Sequence, residues 1–120
     1  MITLGAALFS LVFLSPQSDY ARNEFLEANK ELAFHLGRCI QYQEPGLRDR
    51  LVLVATEEKD AFRAMVLRAA IPEFEEGLRQ SATAQQTQIE CDEKVGGAIA
   101  RTALADRYLI GVSGYTPLAD

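Results

Sequence analysis

The stretch Asp19-Tyr-Ala-Arg-Asn-Glu-Phe-Leu-Glu-Ala-Asn-Lys-Glu-Leu-Ala-Phe-His-Leu-Gly-Arg-Cys39 decides the fold class. Within it Ala21, Phe25, Ala28, Leu32, Leu36 and Cys39 recur at spacings of three and four, the period of one face of an α-helix. Glu24, Glu27, Lys30, Glu31 and Arg38 fall mostly off that stripe, and Ser18 or Asp19 stands where a helix cap belongs. A helix is therefore expected from Asp19 to about Tyr42.

The same period continues downstream. Gln43-Glu-Pro-Gly46 is a turn, because Pro presets φ and Gly ends a helix. Leu51-Val-Leu-Val54 fits a strand or a helix. As a strand it would have no partner, whereas as a helix it puts Leu47, Leu51, Val54 and Ala55 on one side. Thr56, followed by acids, has the pattern of a new helix start, with Phe62, Met65, Val66 and Ala69 facing inward. Pro72 lacks an N–H donor and suits the first position of a further short helix, whose inward residues are Phe74 and Leu78.

Residues 80–88 are polar and uncharged, as in a loop or a weak helical extension. A last helix is expected from about Ile89 to Ile110, with Cys91, Val95, Ala98, Thr102, Ala105 and Leu109 inward and Ile99 beside them. Gly96-Gly97 inside it costs about 1 kcal/mol per glycine, so the pair is expected to admit a close neighbour or to mark a break. The expected fold is all-α: a small bundle of four to five helices after an N-terminal apolar leader, with one interhelical disulfide. It divides into a leader (1–18), a helical domain (19–110) and a flexible tail (111–120).

At 120 residues, 48% hydrophobic and 24% charged, the chain supports one domain with a real core. Twelve basic residues stand against 17 acidic ones, a net charge of −5, and the basic residues are scattered. That balance repels phosphate and disfavours nucleic acid and bilayer surfaces as partners.

All the charge lies from Asp19 onward. Residues 4–14 form an apolar run that ends in the breaker Ser15-Pro-Gln-Ser18. A run of roughly 7–15 apolar residues before a breaker fits a secretory signal peptide, whereas a spanning helix needs about 20. No Lys or Arg precedes the run, and cutting after Ser18 puts Pro16 at the −3 position. A start placed too far downstream accounts for the missing basic residues. The competing reading is the buried first helix of a cytosolic bundle. The leader reading places the protein in the periplasm or outside the cell, with no stable membrane insertion once the leader is removed.

Two cysteines, Cys39 and Cys91, make an even number in an exported chain, and each falls on its own helix's apolar stripe. That is the arrangement an interhelical disulfide needs. Neither belongs to a CxxC pair, and His35 is the only histidine, so a zinc site lacks ligands. His35 lies one helical turn from Cys39, which makes a Cys–His dyad the sharpest enzymatic hypothesis, although neither flank matches a cysteine-hydrolase signature. Glu27, Glu31 and His35 stand on successive turns but are equally explained by a solvated acidic face. Glu73, Glu75 and Glu76 are explained by the helix dipole. No phosphate loop, nucleophile elbow or calcium loop is present, and no cofactor is expected.

In architecture alone (leader, helices, two distant cysteines) the chain resembles small periplasmic helical proteins with one disulfide, such as the immunity proteins that neutralise type VI secretion amidase toxins. That likeness implies a protein-binding, inhibitory module with a protein partner, and it assigns no residue a role. Periplasmic stress chaperones form a second class, but they tend to carry lysine-rich ends. Here lysine stands only at Lys30, Lys59 and Lys94, and no basic residue follows Arg107.

Overall fold

A computed structural model describes residues 16–113 of the chain. Among these residues there are four α-helices and no strand: α1 (Pro16–Arg38), α2 (Leu47–Glu57), α3 (Ala61–Ser81) and α4 (Gln88–Ser113), with a 3-10 turn at Ile40–Tyr42 after α1. The all-α bundle and its interhelical disulfide are as expected from the sequence. The leader's apolar run and the end of the tail, residues 1–15 and 114–120, lie outside the described residues. Pro16 to Ser18, expected as the leader's breaker, form the first turn of α1, where Ser18 is buried. Gly111 to Ser113, expected in the tail, extend α4.

The helices run up, down, up, down, and α1 is the wall the others are built on. It packs against α3 on one side and α4 on the other, while α2 packs against α3. The α1–α3 pair is parallel: Phe25 meets Phe62 near the start, and Gly37 lies over Phe74 and Leu78 near the end. The α1–α4 pair is antiparallel, with Tyr20 against Tyr108 at one end and Cys39 against Cys91 at the other.

Two neighbours require two buried faces on α1. The stripe Ala21, Phe25 and Ala28 joins Val66, Ala105 and Leu109 in one apolar cluster. Ala33 joins Ala70 and Phe74 in a second, against which Leu36, Leu47, Leu51 and Leu78 pack. Phe74 is fully buried, a contribution of about 2–3 kcal/mol. Leu32 and Leu36, expected at the centre of a single stripe, are only half-buried, because Ala33 and Gly37 face α3 instead.

Local chemistry sets the helix ends. Gly46 adopts φ 78°, the left-handed conformation that glycine reaches without penalty, and turns the chain into α2. Thr56 is not a cap; it lies inside α2, and its hydroxyl donates to the Val52 carbonyl at 2.8 Å. Asp60 caps α3 instead, accepting from the Arg63 N–H at 3.0 Å. Thr87 and Glu90 form a reciprocal capping box at the start of α4: Thr87 Oγ1 accepts from the Glu90 N–H at 3.1 Å, and Glu90 accepts from the Thr87 N–H at 3.1 Å.

Pro72 does not start a new helix; it sits inside α3, which continues on both sides of it. The proline and Arg68, whose carbonyl loses its bond, are both exposed, so water can replace that bond. Packing of Ala64, Val66 and Ala70 before it and Phe74 and Gly77 after it holds both halves on α1. Met65, expected inward, is exposed, as is Val54.

Gly96-Gly97 does not break α4, and among the described residues it admits no neighbour, since a Cβ added at either meets nothing within 4 Å. The close approach lies at Gly37 and Gly77. A Cβ on Gly37 would overlap the Phe74 carbonyl oxygen and stand 2.9 Å from Leu78 N. One on Gly77 would overlap the Phe34 carbonyl oxygen and stand 2.7 Å from Arg38 N. The two glycines let the backbones of α1 and α3 touch.

Candidate functional site

Cys39 and Cys91, placed on separate helices by the sequence, are brought together at the end of the α1–α4 seam. Their sulfurs are 2.11 Å apart, the Cα atoms 5.8 Å apart, and both side chains are buried. Cys39 directly follows α1 and its N–H still bonds the His35 carbonyl, while Cys91 N–H bonds the Thr87 carbonyl in the first turn of α4. The Gln86 carbonyl accepts from Tyr42 Oη at 3.1 Å, which ties the loop before α4 to the 3-10 turn over the disulfide.

This placement removes Cys39 as a nucleophile, because a sulfur in a disulfide has no thiolate to offer. His35 faces Glu31 instead, with Nε2 3.8 Å from Oε1, and its Nδ1 is buried without a hydrogen-bond partner. Burial pushes its pKa down; Glu31 opposes that shift, while Lys94 and Arg38 add to it. The other candidate acids are engaged one by one. Glu27 pairs with Lys30 at 3.4 Å, Glu73 stands 4.0 Å from Lys30, Glu75 pairs with Arg48 at 2.7 Å, and Glu76 pairs with Arg79. No two of these carboxylates share a desolvated site, which acid–base catalysis requires. Among the described residues no three His, Cys, Asp or Glu are grouped to hold a metal ion.

The surface that stands out is the outer side of α4. Its inner side, Cys91, Ala98, Ala105 and Leu109, is buried on α1 as expected. Ile89 is nevertheless 72% exposed, Leu104 64%, Ile99 53%, and Tyr108 and Ile110 40% each. From Val95 to Val112 the helix carries only Arg101, Asp106 and Arg107 as charges. Two of them are used inside the chain. Arg101 binds Glu24 through two hydrogen bonds of 2.8 Å and also pairs with Glu31, while Asp106 pairs with Arg63. A helix apolar on nearly all sides is normally buried on all sides. Among the described residues one side of α4 is covered.

Grooves flank the helix. One, of about 540 Å³, lies between α1 and α4 and is lined by Tyr20, Glu24, Ala100, Arg101, Leu104 and Tyr108. Its wall is an edge-to-face pair, Tyr20 and Tyr108, with ring centroids 5.9 Å apart. The Arg101 guanidinium holds the Glu24 carboxyl below the usual carboxylate range, and the two carboxylates raise the guanidinium's own pKa further. A second groove, of about 340 Å³, lies on the other flank between Phe25, Leu32, Ile99, Thr102 and Ala103.

Tyr20, Leu104 and Tyr108 carry no motif, and the sequence did not single them out. The available signal was an excess of apolar residues over what one buried stripe needs between Val95 and Val112. No helix among the described residues is long and apolar enough to cross a membrane. Compared with protein families, with curated proteins and with solved structures, the chain finds no match in any of the three.

Proposed function

We propose that this chain is an exported, periplasmic or secreted, protein-binding module of the inhibitory, immunity-like kind, which acts by presenting α4 to a protein partner. The observation that carries the reading is the outer surface of α4. From Val95 to Val112 it is largely apolar, aromatic at one flank and carries Arg107 as its one exposed charge, and the disulfide anchors its N-terminal end. α4 carries more exposed large apolar side chains than any other described helix, with a smaller group at Val52–Val54 of α2. Such area favours a protein partner over a small substrate, since both grooves flanking α4 are open. A buried disulfide fits an oxidising compartment. The chaperone alternative gains no support from charge: Glu24, Glu90 and His35 all have lowered pKa values, so acid weakens this fold.

The test is capture from the native envelope fraction with the chain and with Leu104→Lys as baits. Leu104 is exposed, so the substitution leaves the fold intact. A protein bound by the native chain and lost by the variant supports the reading. No reproducible capture, or capture indifferent to Leu104→Lys, overturns it.

A further inference from the structure

Resting on that reading of α4 as a protein-binding surface, we propose that the partner covering its outward strip is a second copy of this chain, the two α4 helices antiparallel about a two-fold axis at Ala100. The strip opposite the buried residues runs through Ile89, Glu93, Gly96, Gly97, Ala100, Ala103, Leu104, Arg107 and Gly111, all exposed. Its order is self-complementary. Reversed about Ala100, Glu93 falls opposite Arg107, Gly96 opposite Leu104, Gly97 opposite Ala103, and Ile89 opposite Gly111. Arg107 therefore meets Glu93, while Asp92, exposed at one edge of the strip, falls opposite Tyr108 and not opposite another acid. Each large side chain meets a glycine over which a Cβ would find nothing within 4 Å.

An isologous contact requires this property: the same patch must fit itself after a half-turn. A parallel pairing would set Glu93 on Glu93 and Arg107 on Arg107, and like-charge contacts oppose association. Ala100 at the axis allows the backbones to approach closely, as Gly37 and Gly77 do within the chain. Such a contact gives a role to Gly96, Gly97 and Gly111, which cost helix stability and meet no neighbour among the described residues.

The strip is about 33 Å long and one helix diameter, about 10 Å, wide. That places the contact near the lower end of specific interfaces, about 1,000 Å² in total, and the expected association in the micromolar range.

Sedimentation velocity of the disulfide-bonded chain, from low concentration to about 100 μM, is the primary test. A reversible dimer is expected. Arg107→Glu should weaken it roughly tenfold, and Arg107→Glu combined with Glu93→Arg should recover most of that loss, since the pair is then reversed. As a check independent of affinity, Ala100→Cys should give a covalent dimer on mild oxidation, whereas Val52→Cys, on exposed α2, should not. A monomer at every concentration overturns the inference, as does a dimer indifferent to both charge variants or cross-linking that does not favour Ala100→Cys. A monomeric chain that still captures a different protein through Leu104 overturns the second copy and leaves the binding reading standing. A chain that does neither overturns both.

Discussion

The two seams on α1 are built on opposite plans. Against α3 the helices touch backbone to backbone at Gly37 and Gly77, around Ala33, Ala70 and Phe74, with no covalent link. Against α4 the contact is side chain on side chain, Ala21, Phe25 and Ala28 clustered with Ala105 and Leu109. It is reinforced from outside by the disulfide at one end and the Arg101–Glu24–Glu31 network in the middle. Steric fit on both elements holds α3, and it could not be moved without overlap. One buried stripe, a bond and a few charges hold α4, which leaves its other side uncovered among the described residues. A helix that must present an apolar surface to a partner cannot also wrap that surface into its own core, so a covalent anchor reinforces the single stripe.

The largest effect should come from the α4 seam. Replacing both cysteines by serine removes a cross-link that closes a loop of about 53 residues, and about 4 kcal/mol of stability should be lost. Urea unfolding of the purified variant measures it; a loss below about 1 kcal/mol would mean that α4 is held by packing after all. The α3 seam is next. Gly77→Ala should cost about 3 kcal/mol, because the new methyl meets backbone that cannot yield, and a thermal melt reads the loss directly. The same substitution in α4, Gly96→Ala, should add up to about 1 kcal/mol, since the site is open and alanine is the better helix former. Equal effects at Gly77 and Gly96 would erase the distinction between the seams.

Smaller still is the charge network. Arg101→Gln should cost about 1 kcal/mol or less, because its partners are partly solvated. Its signature is the pH profile. Glu24 and Glu90 have folded pKa values below 4.5, and His35 has one below 6.5. A group with a depressed folded pKa contributes stability above its unfolded value and loses it as pH falls. All three therefore act in one direction: stability should decline first as pH drops below about 6.5, through His35, and again below about 4.5, through the two glutamates. In Arg101→Gln the second decline should shrink, and urea midpoints from neutral pH to about pH 3 would show it.

How much of this was legible in the sequence follows the same division. The α4 seam was readable, because Cys91, Ala98, Ala105 and Leu109 keep one period on a helix with one covered side. The disulfide followed from two cysteines lying on two such stripes. The α3 seam was not. A single stripe was expected on α1, but a helix with two neighbours buries two, and Ala33 and Gly37 lay outside the pattern. Pro72 misled for a related reason: tertiary packing on both sides of it outweighs its local cost, and periodicity cannot weigh the two. The capping signals were present but misassigned. Thr56 has the cap pattern but Asp60 serves, and Thr87-Gln-Ile-Glu90 is a capping box within a stretch whose polar, uncharged run reads as loop. The glycines were read for the right reason at the wrong place. Gly96-Gly97 is expected to admit a close neighbour or to mark a break, whereas among the described glycines it is Gly37 and Gly77 that meet a neighbouring helix.

The candidate surface was the least legible part. Leu104 and Tyr108 are apolar residues on an apolar helix, and only the position of α1 reveals that nothing in the described chain covers them.

Covalent closure of α4 onto α1, with its outer side uncovered among the described residues, is the central feature of this fold. Intact mass of the chain recovered from its native compartment, after alkylation without reductant, tests that directly. No added alkyl group is predicted, with two added after reduction. Two alkylated thiols before reduction would contradict it.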